Sequence, residues 1–395
     1  MKVDLQKFDG GRSLLMGAAG LGALGIIGTL VGIASDPRPA LFSYLWAFAY
    51  WGGIALASVV LLQIFHAVRA KWMVVLRRAV EVMAVTIVLF LLLFIPIAAG
   101  MKHLYSWVEP RPDLSREALE LLRHKEPYLN TTFFLIRSFF YVALATVVSQ
   151  RLFGWSIKQD SSGDVQLTAR QRRLGTGALP FVALVFSFAA FDWLMSLEPL
   201  WFSTIFGIYY FAGSFLSTIS LLVIITDRAR GKNLYGSLVS DEHIHNLGKL
   251  MLAFTAFWGY IGFSQFMLIW IAGLPEEVPF YIVRLRGEWA GIGVFLILGH
   301  FFIPFGALLS RSLKRNRAQL SLVAFWILLV HAVDLYWLIV PTLSPEGVAF
   351  HWTMITSFVG VGGLSIAFGL WRIRGQFTVP IRDPYLVDSL AYRQP

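Results

Sequence analysis

The sequence contains no cysteine and few charged residues. None of its 395 residues is Cys, which excludes disulfides, thiol catalysis, thiolate-ligated iron–sulfur clusters and covalent attachment of c-type haem. Charged residues make up only 14% of the chain, well below a typical soluble domain, whereas hydrophobic residues make up 57%. This balance excludes a soluble globular enzyme, a disordered protein and a nucleic-acid-binding protein.

Two motifs of metal and nucleotide chemistry are also absent. The sequence has no H-E-x-x-H zinc pattern and no glycine-rich phosphate-binding loop. We therefore expect no bound metal and no nucleotide-driven transport in this chain.

Long apolar segments fill most of the sequence. A helix needs about 20 apolar residues to cross a bilayer, and runs of that length are too long for barrel strands. They predict an all-α polytopic membrane protein with ten transmembrane helices in one membrane domain, 1–395. The ten segments are 13–34, 41–66, 79–100, 131–150, 176–197, 201–226, 250–272, 287–310, 318–341 and 351–371.

The distribution of Lys and Arg predicts the orientation. The net charge is +10, and most basic residues lie at the N-terminus, after even-numbered segments and in the tail 374–395. The positive-inside rule then places both termini in the cytoplasm and the loop 101–130 outside. Within that loop, 114–125 is predicted to form a surface helix capped by Asp113 or Ser115. We expect the polar loop 151–175 and the tail to dock partners.

Several ionisable residues fall inside the apolar segments, where each is costly and therefore a functional candidate. His331 and Asp334 are three residues apart on one helical face, and His300 has a matching depth on the eighth segment. We predict a proton path through these three, with Gln265 as a polar neighbour and Glu288 as an exit group. The alternative is a set of purely structural core residues. Haem between the two histidines is not expected, because helices joined by a short loop pack only about 8–10 Å apart.

Four further ionisable residues occur in pairs of similar depth. Arg137 and Asp192 lie on consecutive antiparallel segments and are predicted to form a charge pair, either structural or part of a proton path. His66 and Glu81 end the second segment and begin the third. They are predicted to form an interfacial pair that anchors two helix ends, or a proton entry point.

Aromatic residues are abundant, with 33 Phe, 14 Trp and 13 Tyr. Most are expected in the core or in interfacial belts. The run 201–211 is dense with rings, which suits either packing or a pocket for a quinone ring.

Three stretches carry a family resemblance: FDWLMSLEPLWFSTIFGIYYFAG at 191–213, RGEW at 286–289 and HAVDLYWLIVP at 331–341. Together they resemble the F subunit of alternative complex III, a quinol:cytochrome c oxidoreductase subunit of the NrfD/polysulfide-reductase-like membrane family. A histidine often follows SLEP in that family, but Leu200 stands there in this chain. The role of that histidine therefore does not carry over.

The resemblance implies an architecture and a setting. It implies four-helix bundles at 41–197 and 201–341, flanked by helices 13–34 and 351–371, in a bacterial cytoplasmic membrane. The implied partners are a paralogous NrfD-like C subunit, multihaem and monohaem cytochrome c subunits and an iron–sulfur subunit, with menaquinol as reductant and no redox centre in this chain. The residues predicted to bind quinone are Asp192, Trp193, Glu198, Trp201 and Tyr209.

The sequence leaves two other functions open. Ten helices with scattered buried charges also suit an independent secondary transporter, although such proteins often have matched helix breaks near the midplane. A purely structural scaffold for neighbouring subunits is the third possibility.

Overall fold

A computed structural model describes residues 7–110, 115–232, 234–235 and 238–393 of the chain. Asp113 and Leu114, named above as a cap and the first residue of a surface helix, lie outside the described residues. Within the described part, the chain is almost entirely helical, and one isolated bridge between Lys7 and Phe377 is its only β pairing.

Ten helices are long and apolar enough to cross a membrane, as predicted for an all-α polytopic membrane protein. In chain order they are α1 (Arg12–Ser35), α2 (Pro37–Ala67), α3 (Lys71–Ala99), α4 (Thr131–Ser162), α5 (Val165–Leu197), α6 (Phe206–Gly231), α7 (Asp241–Ala272), α8 (Gly287–Leu309), α9 (Arg317–Thr342) and α10 (Thr353–Ile373).

Several helices continue beyond the apolar segment that predicted them. The prediction of a polar loop at 151–175 is wrong, because α4 continues to Ser162 and α5 begins at Val165. Gly163 provides the turn with a φ of 68°, and the Asp164 carboxylate caps α5 by accepting from the amide of Gln166. The sixth helix, in contrast, begins at Phe206 rather than at residue 201.

The surface helix in the loop 101–130 runs over Arg116–Lys125. Ser115 caps it by accepting from the Ala118 amide. At its other end, Lys125 Nζ donates to the carbonyl of Pro199 at 2.6 Å, and partial burial lowers the pKa of this ammonium. The helix is therefore tied to the connection between α5 and α6.

The central helix is α2, which is almost wholly buried and contacts α3, α5, α6, α9 and α10. Helices α2 to α5 contact one another in a closed ring, and α6 to α9 form a second ring beside it. Helix α1 packs chiefly on α10, and glycines permit this approach: an added Cβ at Gly25 would lie 2.5 Å from the Gly360 amide.

The tail after α10 crosses the face of the molecule where α1 begins and α10 ends, here called the basic face. Asp383 accepts from Arg77 Nη1 at 2.7 Å, and Asp160 on α4 accepts from the Ile381 amide. Ser389 contacts both Trp72 and Val75 near the start of α3. We expected this segment to dock partners, but its described part packs against its own chain.

Candidate functional site

Asp334 is the buried carboxylate of the second ring. Its side chain is 1% exposed and projects from α9. Tyr209 on α6 donates its hydroxyl to Oδ1 at 2.5 Å, and Trp258 on α7 donates Nε1 to Oδ2 at 3.1 Å. Two neutral donors from two other helices therefore stabilise the carboxylate without neutralising its charge.

Two imidazoles flank this carboxylate. His331 Nδ1 lies 3.5 Å from Asp334 Oδ2 and His300 Nδ1 lies 3.8 Å from it, which is longer than a hydrogen bond. The two ring centroids are 5.9 Å apart. Among the described residues, none provides a hydrogen-bond partner for the four ring nitrogens, although both side chains are buried. We call Tyr209, Trp258, His300, His331 and Asp334 the midplane cluster.

Local backbone features place the two histidines. The segment Ile297–Phe302 of α8 is a π-helix, a distortion found often at functional sites, and it carries His300 against the Trp258 ring at a centroid distance of 4.0 Å. Opposite His331 lies Gly213 on α6, where an added Cβ would lie 2.6 Å from the ring. Glycine is needed at this position because α6 approaches the imidazole directly.

The predicted proton-path residues divide between this cluster and its surroundings. His300, His331 and Asp334 lie together as predicted from their spacing and depth. Gln265 is farther out on α7, where it accepts from Ser203 and donates to the hydroxyl of Tyr281. Glu288 is exposed at the start of α8 and accepts from a loop amide at Val348.

A second polar group, here called the outer cluster, surrounds Arg284 in the short helix Pro279–Arg284. This fully buried arginine donates to Glu198 at 2.7 Å and to the carbonyls of Trp337 and Leu338. Burial lowers its pKa. Burial raises the pKa of the neighbouring Tyr281 to about 12, so this hydroxyl stays protonated at neutral pH.

Arg137 and Asp192 form a bidentate pair inside the first ring. Arg137 Nε and Nη2 donate to the two carboxylate oxygens at 2.8 and 2.9 Å, and Tyr141 adds a third bond at 2.8 Å. The Tyr128 ring lies 3.8 Å from the guanidinium carbon. The predicted contact between Arg137 and Asp192 is therefore present. The residues that surround this pair lie on α4, on α5 and just before α4.

The five predicted quinone-binding residues fall into three separate surroundings. Asp192 belongs to the Arg137 network, and next to it Trp193 donates to Ser138 at 3.0 Å. Glu198 pairs with Arg284 in the outer cluster, where Trp201 stacks on Phe280 at 3.9 Å, whereas Tyr209 belongs to the midplane cluster.

The expected pairing of His66 with Glu81 is wrong. Glu81 is fully buried between two arginines of its own helix, at 3.0 Å from Arg77 Nε and 3.1 Å from Arg78 Nη1. Arg78 also contacts Asp160 on α4. Arg77 and Arg78 stand four and three residues before Glu81, so all three share one helix face, a local relation that the prediction from depth left out.

Three residues that shape these clusters were absent from the sequence prediction. Trp258 lies on α7 and Gly213 lies on α6. In a segment that is apolar all round, the sequence pattern does not show which face of the helix turns toward its neighbours. Arg284 lies in a loop between two predicted membrane segments, where it counted only toward the positive charge on the outer side.

No protein-family model matches this chain, and no curated protein matches it either.

Proposed function

We propose that this chain is an integral membrane subunit of a menaquinol-oxidising complex of the alternative complex III type, and that its midplane cluster carries protons. The proposed complex lies in a bacterial cytoplasmic membrane and reduces a cytochrome c or another periplasmic acceptor. Its other members are the C subunit, the two cytochrome c subunits and the iron–sulfur subunit named above, and this chain supplies no redox centre.

One observation supports the proton-carrying role above the others. A buried carboxylate lies between two imidazoles whose four ring nitrogens have no hydrogen-bond partner in the described part of the chain. Leaving a buried polar group unpaired costs about 1–3 kcal/mol, so four such atoms beside one carboxylate are expensive in a purely structural core. Histidine titrates close to neutral pH in its ordinary state, and it exchanges protons through either nitrogen.

The geometry supports short proton steps. Oxidation of a quinol to a quinone yields two electrons and two protons, and the protons must leave the membrane interior. Between Asp334 and either imidazole the gap is 3.5–3.8 Å, which a small side-chain movement or one bridging water closes. The Tyr209 hydroxyl extends the cluster toward α6.

An independent secondary transporter remains the second candidate, because two helices are interrupted. Helix α3 contains a 3₁₀ segment, Thr86–Leu89, with Pro96 farther along, and α8 contains the π segment. Transporters bind substrate at such breaks.

Purification of the full-length tagged chain from its native membrane in a mild detergent separates these functions. We expect c-type haem absorbance to co-purify in a fixed ratio, together with menaquinol-dependent reduction of cytochrome c. A chain that purifies alone and restores solute uptake in liposomes would contradict the proposal and favour the transporter.

A further inference from the structure

A cavity opens on the basic face where α2 turns into α3. Its volume is about 30 Å³, room for roughly two ordered waters. The polar side chains that line it are His66, Arg69, Lys71, Arg77, Thr168 and Arg172. None of the described residues around this cavity is acidic, so its lining is strongly positive.

The lining cations differ in whether the described residues supply a counter-charge. Lys71 pairs with Asp388 at 2.8 Å, and Arg77 pairs with Glu81 and Asp383. For Arg69 and Arg172, by contrast, the described residues provide neither an ion pair nor a hydrogen bond. Arg69 has a φ of 51°, a left-handed conformation that costs a non-glycine residue energy. This turn holds an unpaired guanidinium at the mouth of the cavity.

Buried donors line the interior of the same cavity. Arg77 is 5% exposed and His66 is 6% exposed. Arg77 Nη2 and His66 Nε2 are both buried and find no hydrogen-bond partner among the described residues, although the remaining Arg77 nitrogens bind carboxylates. An unpartnered guanidinium nitrogen in the wall of a positive cavity favours an anionic acceptor beside it, because such an acceptor offsets the desolvation of the charge.

We propose that this cavity binds a phosphate group. Planar guanidinium groups match the oxygens of phosphate, and the Thr168 hydroxyl adds a neutral donor. The cavity lies between the end of α2, the start of α3 and the first turns of α5, the level at which we infer lipid headgroups to lie. Basic pockets between helices at this level bind anionic headgroups. The ligand is a phosphate diester of an anionic phospholipid or a free phosphate ion, both of which present the same oxygens.

The test measures ligand-dependent melting of the purified full-length chain in detergent. One arm adds phosphatidylglycerol with phosphatidylcholine as comparison, and the other adds inorganic phosphate with chloride at equal ionic strength. The test variant is Arg69→Gln/Arg172→Gln. The matched control is Arg170→Gln/Arg173→Gln, which removes the same charge from exposed positions on α5 that do not line the cavity.

We expect phosphatidylglycerol or phosphate to raise the melting temperature of the native chain and of the control. The apparent affinity of the test variant falls roughly 30-fold, since each basic residue near a headgroup contributes about a fivefold factor. A response to phosphate alone identifies a free anion, and a response only to the lipid identifies a headgroup. If the double variant does not purify, Arg172→Gln alone is expected to weaken binding about fivefold. No response in the native chain, or equal responses in all the proteins, would overturn the proposal.

Discussion

The buried pair of Arg137 and Asp192 permits a sharp test of the packing inside the first ring. Asp192 is fully buried and accepts three hydrogen bonds, two of them from Arg137. Replacing only Asp192 by Leu leaves the guanidinium buried without its counter-charge. We expect this change to lower the free energy of unfolding by about 3–5 kcal/mol, and Arg137→Met to cost a similar amount.

The double variant Arg137→Met/Asp192→Leu distinguishes a charge effect from a packing effect. Because neither charge remains, we expect it to be less destabilised than either single variant, as found for buried pairs replaced by apolar residues. Unfolding in a titration of mixed detergent micelles with dodecyl sulfate, followed by tryptophan fluorescence, measures all three. The control is Arg230→Met, which breaks an exposed pair with Asp241 and should cost at most about 1 kcal/mol. Additive losses in the double variant would refute this reasoning.

Two glycine substitutions test close helix approaches. Gly213→Ala is expected to displace the His331 ring and to lower quinol-dependent proton release while the chain still folds. Gly177→Ala, with open space around it, should change neither the ring position nor proton release. Unchanged proton release in both variants would argue against the observed approach of α6. Gly25→Val should separate α1 from α10 and expose α1 to protease. The matched Gly20→Val should not, because no described atom outside its own helix lies within 4 Å of an added Cβ there. Equal protease sensitivity in the two valine variants would contradict this packing.

Hydropathy predicted the number of membrane helices but not where they end. The apolar part of α4 and α5 defines only the stretch inside the bilayer, and backbone hydrogen bonds continue through polar residues once water can solvate the side chains. For this reason 151–162 and 165–175 were assigned to a loop although they are helical. Gly163, a typical residue after a helix end, and Asp164, a typical helix cap, were local signals against that assignment.

The sequence predicted part of the candidate site, namely the shared face of His331 and Asp334 and the matching depth of His300. The spacing of His331 and Asp334 placed them on one face, because positions three apart on a helix are neighbours. Their contacts with Tyr209 and Trp258 depend on how α6 and α7 rotate toward α9. Periodicity cannot give that rotation in helices that are apolar all round.

The same limit applies to the charges near the basic face. His66 and Glu81 have similar depths, yet Glu81 turns toward Arg77 and Arg78 on its own helix. Depth specifies a layer of the membrane, whereas a contact also requires the right face of each helix.

The most direct test of the account is the ratio of protons released to electrons transferred in liposomes that contain the purified complex. Asp334→Asn keeps the side-chain shape and removes the charge that His300 and His331 flank, and Asp227→Asn is a control on the basic face. We expect the Asp334 variant to assemble normally and to release fewer protons per electron than the native complex, while the control is unchanged. Normal assembly with an unchanged ratio and full electron transfer in the Asp334 variant would contradict a proton-carrying role for the midplane cluster.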